Sequence, residues 1–143
     1  MVRVYFPDPV SSVQSTLSDS EKQAKLKLVI DLLTGIHLVS AAESIAIAKH
    51  LGLPLDMLYE LAVEAAGGST MFKEEGKGMI EVLQGGNPSG GRKIADIVDG
   101  LKAAVEEAQK IKAQVYLGSG ALNAVLLAQK KGEWARDVVR VWM

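Results

Sequence analysis

Lys27 and Asp31 lie four residues apart in Leu26–Ala48, LKLVIDLLTGIHLVSAAESIAIA, a stretch that is apolar almost throughout. Four residues is just over one helical turn, so the ammonium and the carboxylate share a face, with Thr34 a turn further on. A charge on an apolar helix is costly to bury unless it is paired or used. That pair is where any chemistry is to be looked for. Amine attack on a carbonyl needs a desolvated lysine, and the neighbouring counter-charge of Asp31 argues against it. His37, in the same run, serves either as a hydrogen-bonded core residue or as a second acid/base group. The alternative for Lys27–Asp31 is an exposed i,i+4 ion pair worth roughly a few tenths of a kcal/mol.

Other chemistry-bearing residues are sparse. Ser69, after Gly67-Gly68, either holds a carboxylate together with neighbouring N–H groups or caps a helix. The glycine-rich stretch Gly85–Gly91, GGNPSGG, lacks the Walker spacing and its Gly-Lys-Ser/Thr ending, and reads as a loop, the most flexible part of the chain. No His/Asp/Glu set has metal-ligand spacing, and the absence of cysteine removes thiolate chemistry and disulfides. His50 stands near a helix C-terminus, where a cation is favourable. A formal net charge of −1 without a basic patch argues against nucleic acid.

The elements that must position these groups are helical. The 143 residues, 48% hydrophobic, suffice for one domain with a real core. Val2–Phe6, VRVYF, is a strand-like run ended by Pro7 and Pro9, and Ser11–Ser20 reads as linker. The expected division is therefore a strand remnant with linker over 1–17 and a helical domain over 18–143. Ser18-x-x-Glu21 has capping-box spacing and opens the long helix, and Gly52 stops it. Pro54 starts a second helix that ends at Gly67-Gly68. A third, weakened by Gly76 and Gly78, covers about Thr70–Leu83.

Lys93–Lys112 carries a 3.6-period apolar stripe through Ile94, Ile97, Val98, Leu101, Ala104, Val105 and Ala108. After a turn at AQVYLGSG, a fifth helix is expected at about Ala121–Lys131. A closing helix then presents Trp134, Val138, Val141 and Trp142 inward, as core or interface residues. The expected fold class is all-α, about six helices around one long central helix.

Lys27, Asp31, His37 and Glu43 interrupt the long apolar stretch and no interfacial aromatics flank it, so a membrane span is not expected. Residues 1–17 lack the basic-then-apolar order of a secretory signal, and a cytoplasmic location is expected. Five short helices cannot cover the whole circumference of the first. A homodimer through the long helix is therefore expected.

The pattern Lys27-Leu28-Val29-x-x-Leu32-Leu33-x-Gly35, with Ala41-Ala42-Glu43 and Leu51-Gly52-Leu53, resembles the C-terminal helical domain of the β-hydroxyacid dehydrogenases. The threonate- and 3-hydroxyisobutyrate-dehydrogenase-like members look similar also at Ile36-His37, Ala65-Ala66-Gly67-x-Ser69-x-Met71-Phe72 and Val138-Val139-Arg140-Val141-Trp142. The likeness covers roughly residues 20–143. It implies a domain of the 6-phosphogluconate-dehydrogenase C-terminal type, which follows a Rossmann domain that binds NAD or NADP. No G-x-G-x-x-G opens a strand–helix unit here, so such a cofactor is expected only with a Rossmann-domain partner.

In that family a G-x-G-x-x-x-K-x-x-x-N pattern supplies an acid/base lysine and a substrate-holding asparagine. The resemblance carries these roles to Lys27 and, with a carboxylate for the amide, to Asp31; Glu21 and Gln23 replace the two glycines. A later Lys-Asp pair near nicotinamide and substrate aligns with Asp99-Gly100, and the substrate turn with Gly67, Gly68 and Ser69.

The scaffold is kept while the site is edited. The expectation is a substrate-binding and dimerisation domain for a small hydroxy or keto acid that does not oxidise it alone. Two alternatives stay open: a cofactor-free enzyme using Lys27 with Asp31 or His37, and a non-catalytic scaffold or small-acid binder.

Overall fold

A computed structural model describes residues 17–143. The strand expected at Val2–Phe6 and nearly all of the 1–17 segment lie outside the described residues. The chain from there on is a bundle of five α-helices and one 3₁₀ helix: α1 (Asp19–His50), α2 (Leu55–Glu64), α3 (Thr70–Leu83), α4 (Ile94–Lys110), α5 (Tyr116–Ala128) and the 3₁₀ helix Ala135–Trp142. Among the described residues, extended backbone pairs at a single antiparallel bridge, Lys93 with Trp134.

The long helix begins where its capping box stands. Ser18 Oγ accepts from the Glu21 N–H at 3.3 Å, and the Ser18 N–H donates to Glu21 Oε2 at 2.8 Å. The cap at Ser18 stands where the capping-box spacing places it, and the Ser11–Ser20 linker reading overlaps the start of the helix. At the far end Gly52 takes φ +72°. The Leu53 N–H then reaches the Ala48 carbonyl at 2.9 Å and the Gly52 N–H the Lys49 carbonyl at 3.0 Å. This left-handed stop satisfies the last carbonyls.

Along its 32 residues α1 touches all five other helices. Its C-terminal half is core: Leu38, Ala42, Ile45 and Ala46 are fully buried among Met71, Met79, Leu101, Val125 and Val138. By length and composition α1 could cross a membrane. A core helix passes the same test, and this half is enclosed by its own domain.

Small residues set the spacing. A Cβ on Gly35 would lie 2.3 Å from Leu101 Cδ1, and one on Gly118 would lie 2.5 Å from Leu32 Cδ1. Both glycines are notches that let α4 and α5 approach α1 more closely than side chains allow. Gly118 also explains a displaced element. AQVYLGSG reads as a turn because of its glycines, but α5 already begins at Tyr116 and carries Gly118 as a packing surface.

The closing helix is 3₁₀ rather than α. Its three-residue repeat lines up Ala135, Val138 and Val141, and Trp134 lies just outside as the N-terminal cap.

The Gly85–Gly91 loop is fastened at its C-terminal end. The Arg92 N–H donates to Oε1 of buried Glu75 at 3.1 Å, the Ala135 N–H to the Arg92 carbonyl at 2.7 Å, and the Arg136 guanidinium to the Gly90 carbonyl. Arg136 is itself buried and stacks over the Trp134 ring, 5.2 Å from its centroid.

Candidate functional site at the seam of the first and fourth helices

Lys27 and Asp31 lie in the N-terminal half of α1, and the Lys27 ammonium donates to Asp31 Oδ2. Their environments differ. The Lys27 side chain is 72% exposed, whereas that of Asp31 is 23% exposed. Asp31 is tucked against α4, which runs antiparallel to α1: a Cβ on Gly100 would lie 3.0 Å from Asp31 Cβ and Cγ and 3.1 Å from Oδ2. One turn along, Gly35 meets Leu101 in the same way. The carboxylate is thus set by helix packing, and the ammonium hangs from it toward open solvent.

Asp99 stands one residue before this seat, exposed on α4. Thr34, on the same side as the pair, spends its hydroxyl on the Ile30 carbonyl at 2.8 Å. His37 is half-buried three residues on. His50 Nε2 lies 3.1 Å from the Trp142 carbonyl and ties the end of α1 to the 3₁₀ helix.

Ser69 belongs to another part of the molecule. It caps α3, its Oγ accepting from the Phe72 N–H at 3.1 Å, at the end of the turn from α2. Gly68 is required there, because a Cβ would meet the Ala62 carbonyl oxygen at 2.3 Å; Gly67 has open space around it. The helix order thus joins Lys27, Asp31 and the Asp99-Gly100 position at one seam, and carries Gly67, Gly68 and Ser69 on the α2–α3 corner, where Ser69 makes a helix cap.

Around the seam α1 presents apolar surface. Leu26, Val29, Ile30 and Leu33 recur at i, i+3, i+4 and i+7, each about half exposed or more. Beside them an apolar groove of about 260 Å³ runs between Leu28, Val29 and Leu32 of α1 and Ala104 and Ala108 of α4, with Ile111 just past its end. Further along, Ile36, Val39 and Glu43 face Tyr116, Leu117 and Trp142 across a second groove of about 290 Å³.

Two groups away from the seam have shifted ionisation. The Ser18 N–H and hydroxyl hold the Glu21 carboxyl below its usual range, and the Glu74 carboxylate raises the Arg92 guanidinium. Among the described residues no group of three or more His, Asp or Glu side chains could hold a metal. Sequence reasoning missed two features here, the Gly100 seat and the buried Glu75 and Arg136. A glycine inside an otherwise regular helical stripe was the available signal for the first. Nothing in local patterning marks the second, since both residues are charged and their helices place them inward.

The comparisons with known proteins agree with this architecture. The family model described as NAD-binding of NADP-dependent 3-hydroxyisobutyrate dehydrogenase matches residues 23–142. L-threonate dehydrogenase of Haemophilus influenzae is 41% identical over 58 residues, 41% of this chain and 19% of that protein. L-threonate dehydrogenase of Escherichia coli K12 is 29% identical over 112 residues, 78% of this chain and 36% of that protein. A crystal structure of 3-hydroxyisobutyrate dehydrogenase from Salmonella typhimurium superposes with a TM-score of 0.71 at 30% identity, over 82% of this chain and 41% of that one. The chain thus spans well under half the length of the relatives it matches.

Proposed function

The chain belongs to the 3-hydroxyisobutyrate dehydrogenase family, and from that premise we propose that it is the substrate-binding and dimerisation half of a hydroxyacid dehydrogenase site. Lys27 is the acid/base group on the hydroxyl of a small 3-hydroxy acid of the threonate or 3-hydroxyisobutyrate type, and Asp31 holds that lysine in place. The observation that carries this reading is Lys27 itself, presented on the outward half of α1 and anchored at its inner neighbour.

A proton-transferring lysine works best where water is excluded and partners are fixed. This chain supplies the fixed partner and leaves the ammonium open on one side. A Rossmann-type domain would wall off that side and hold NAD or NADP, which would supply the hydride acceptor. The described residues do not fit the dinucleotide themselves, for they contain no strand–turn–helix unit to cradle a pyrophosphate. By itself the chain therefore does not oxidise substrate. In this reading the protein is soluble and cytoplasmic, pairs with a second copy through the exposed α1 stripe, and contacts neither membrane nor nucleic acid.

The ion pair with Asp31 also favours a second reading, in which the chain holds a small acid without transforming it. Both are tested by titrating the isotope-labelled chain with L-threonate and with 3-hydroxyisobutyrate while following backbone amide shifts. Shifts gathered around residues 27–31 and 99–100 that vanish in Lys27→Ala are expected. Equal shifts in Lys27→Ala, or shifts confined to the α2–α3 corner, would remove Lys27 from the site. Turnover to the keto acid without nucleotide would instead select the cofactor-free enzyme.

A further inference from the structure

We infer that Gly100 is a positioning residue: it is the seat that lets Asp31 aim the Lys27 ammonium at the seam of α1 and α4. The functional weight of this inference rests on the reading of Lys27 above, but its geometry does not. A Cβ on Gly100 would lie 3.0 Å from Asp31 Cβ and Cγ and 3.1 Å from Oδ2, and Oδ2 is the atom that accepts from Lys27. A methyl group at position 100 would push on the very oxygen that holds the ammonium.

A glycine is an expensive choice here in helix terms. Gly100 lies in the middle of a 17-residue helix, with regular stripe residues on both sides, and alanine is the better helix former at such a position. No positive backbone angle calls for glycine at 100. What calls for it is the close approach of Asp31. The seat is rigid, because Gly35 against Leu101 and Leu32 against Gly118 lock the same turn of α1 to its neighbours. A carboxylate in this slot has few places to move, so the ammonium it holds is aimed along one direction despite its exposure.

The prediction is read on the lysine. In the ¹⁵N-labelled chain the Lys27 side-chain NH₃⁺ resonance, observed at low temperature, is expected to relax as a restrained group. In Gly100→Ala it should relax as it does in Asp31→Asn, with about a twofold loss in the population of the paired state, the size an exposed i,i+4 ion pair allows. Gly100→Ala should lower the unfolding midpoint less in Asp31→Ala than in the parent, because Cγ and Oδ2 are then gone and only the Cβ contact remains. A Lys27 ammonium equally restrained in Gly100→Ala and the parent overturns the inference. So does an alanine at 100 that costs the same stability with and without Asp31.

If Gly100→Ala fails to fold in the parent, the Asp31→Ala background carries the comparison: recovery of the fold there supports the seat, and failure there as well overturns it. These measurements use the chain without ligand. A restrained lysine with no threonate response would refute the functional reading and leave the seat. A threonate response undiminished in a folded Gly100→Ala would refute the positioning role and leave the functional reading.

Discussion

The two halves of α1 are made of similar residues and put to different uses. From Gly35 to Ala48 one face of it (Leu38, Ala41, Ala42, Ile45, Ala46 and Ala48) is enclosed by the other helices, with Leu38 and Ile45 fully buried. From Asp19 to Thr34 none of its residues is buried, and Leu26 and Ile30 are 61% and 59% exposed. The charge that could do chemistry sits on this outer half. One helix thus joins a part whose job is stability to a part that awaits something else, and the boundary falls near Gly35, where Leu101 fills the notch. Apolar side chains recurring at helical spacing on a solvated face are characteristic of a surface that another element covers.

Substitutions can break or sharpen this contrast. The largest effect is expected in the enclosed half. Ile45→Ala or Leu38→Ala should cost about 2–5 kcal/mol in urea unfolding, the range for a fully buried aliphatic residue. Leu33→Ala, measured at a concentration where the chain is monomeric, should cost about 0.5 kcal/mol or less. Equal costs would erase the distinction. At the boundary, Gly35→Val should destabilise by about 1–3 kcal/mol through overpacking against Leu101, read as a drop in melting temperature.

On the outer half the effect should move from stability to assembly. Leu33→Glu is expected to convert a dimer mass in light scattering to a monomer mass while the circular dichroism spectrum is kept. A parent chain that is monomeric at every concentration would contradict the dimer. Lys27→Ala should change stability by no more than about 0.5 kcal/mol, since exposed pairs contribute little.

The smallest effect concerns the first turn. Hydrogen bonds from Ser18 lower the Glu21 carboxyl below its ordinary 4.5, so its folded value lies under its unfolded one. The cap therefore stabilises fully above the unfolded value and is lost as pH falls through the folded one. The protection factors of amides 19–22, corrected for the pH dependence of intrinsic exchange, should fall on acidification through that window while those of 38–46 are kept.

How much of this was legible beforehand divides along the same physical line. Elements announced by local chemistry were readable. Ser18 and Glu21 make the capping box, Gly52 the left-handed stop, Ser69 the cap of a helix found at Thr70–Leu83, and the α4 stripe is buried as its period requires. Elements decided by tertiary contact were not. The glycines of YLGSG look like a turn until Leu32 is seen against Gly118, and the closing segment tightens to 3₁₀ while it packs on the core.

The site followed the same rule. The spacing of Lys27 and Asp31 foretold their contact. That one partner would be wedged on α4 and the other left to solvent depends on Gly100, far along the chain from both. The buried Glu75 and Arg136 had no local signature at all, because burial of charge is specified by which loop must be held.

We propose that this chain brings the lysine-bearing half of a dehydrogenase site and relies on another domain for its nucleotide. Calorimetric titration of the purified chain with NADP and with NAD, in the presence of L-threonate, addresses it most directly. The account predicts no saturable heat for either nucleotide and no reduced nucleotide formed. Saturable binding of either one by this chain alone, with reduction on adding threonate, would contradict it.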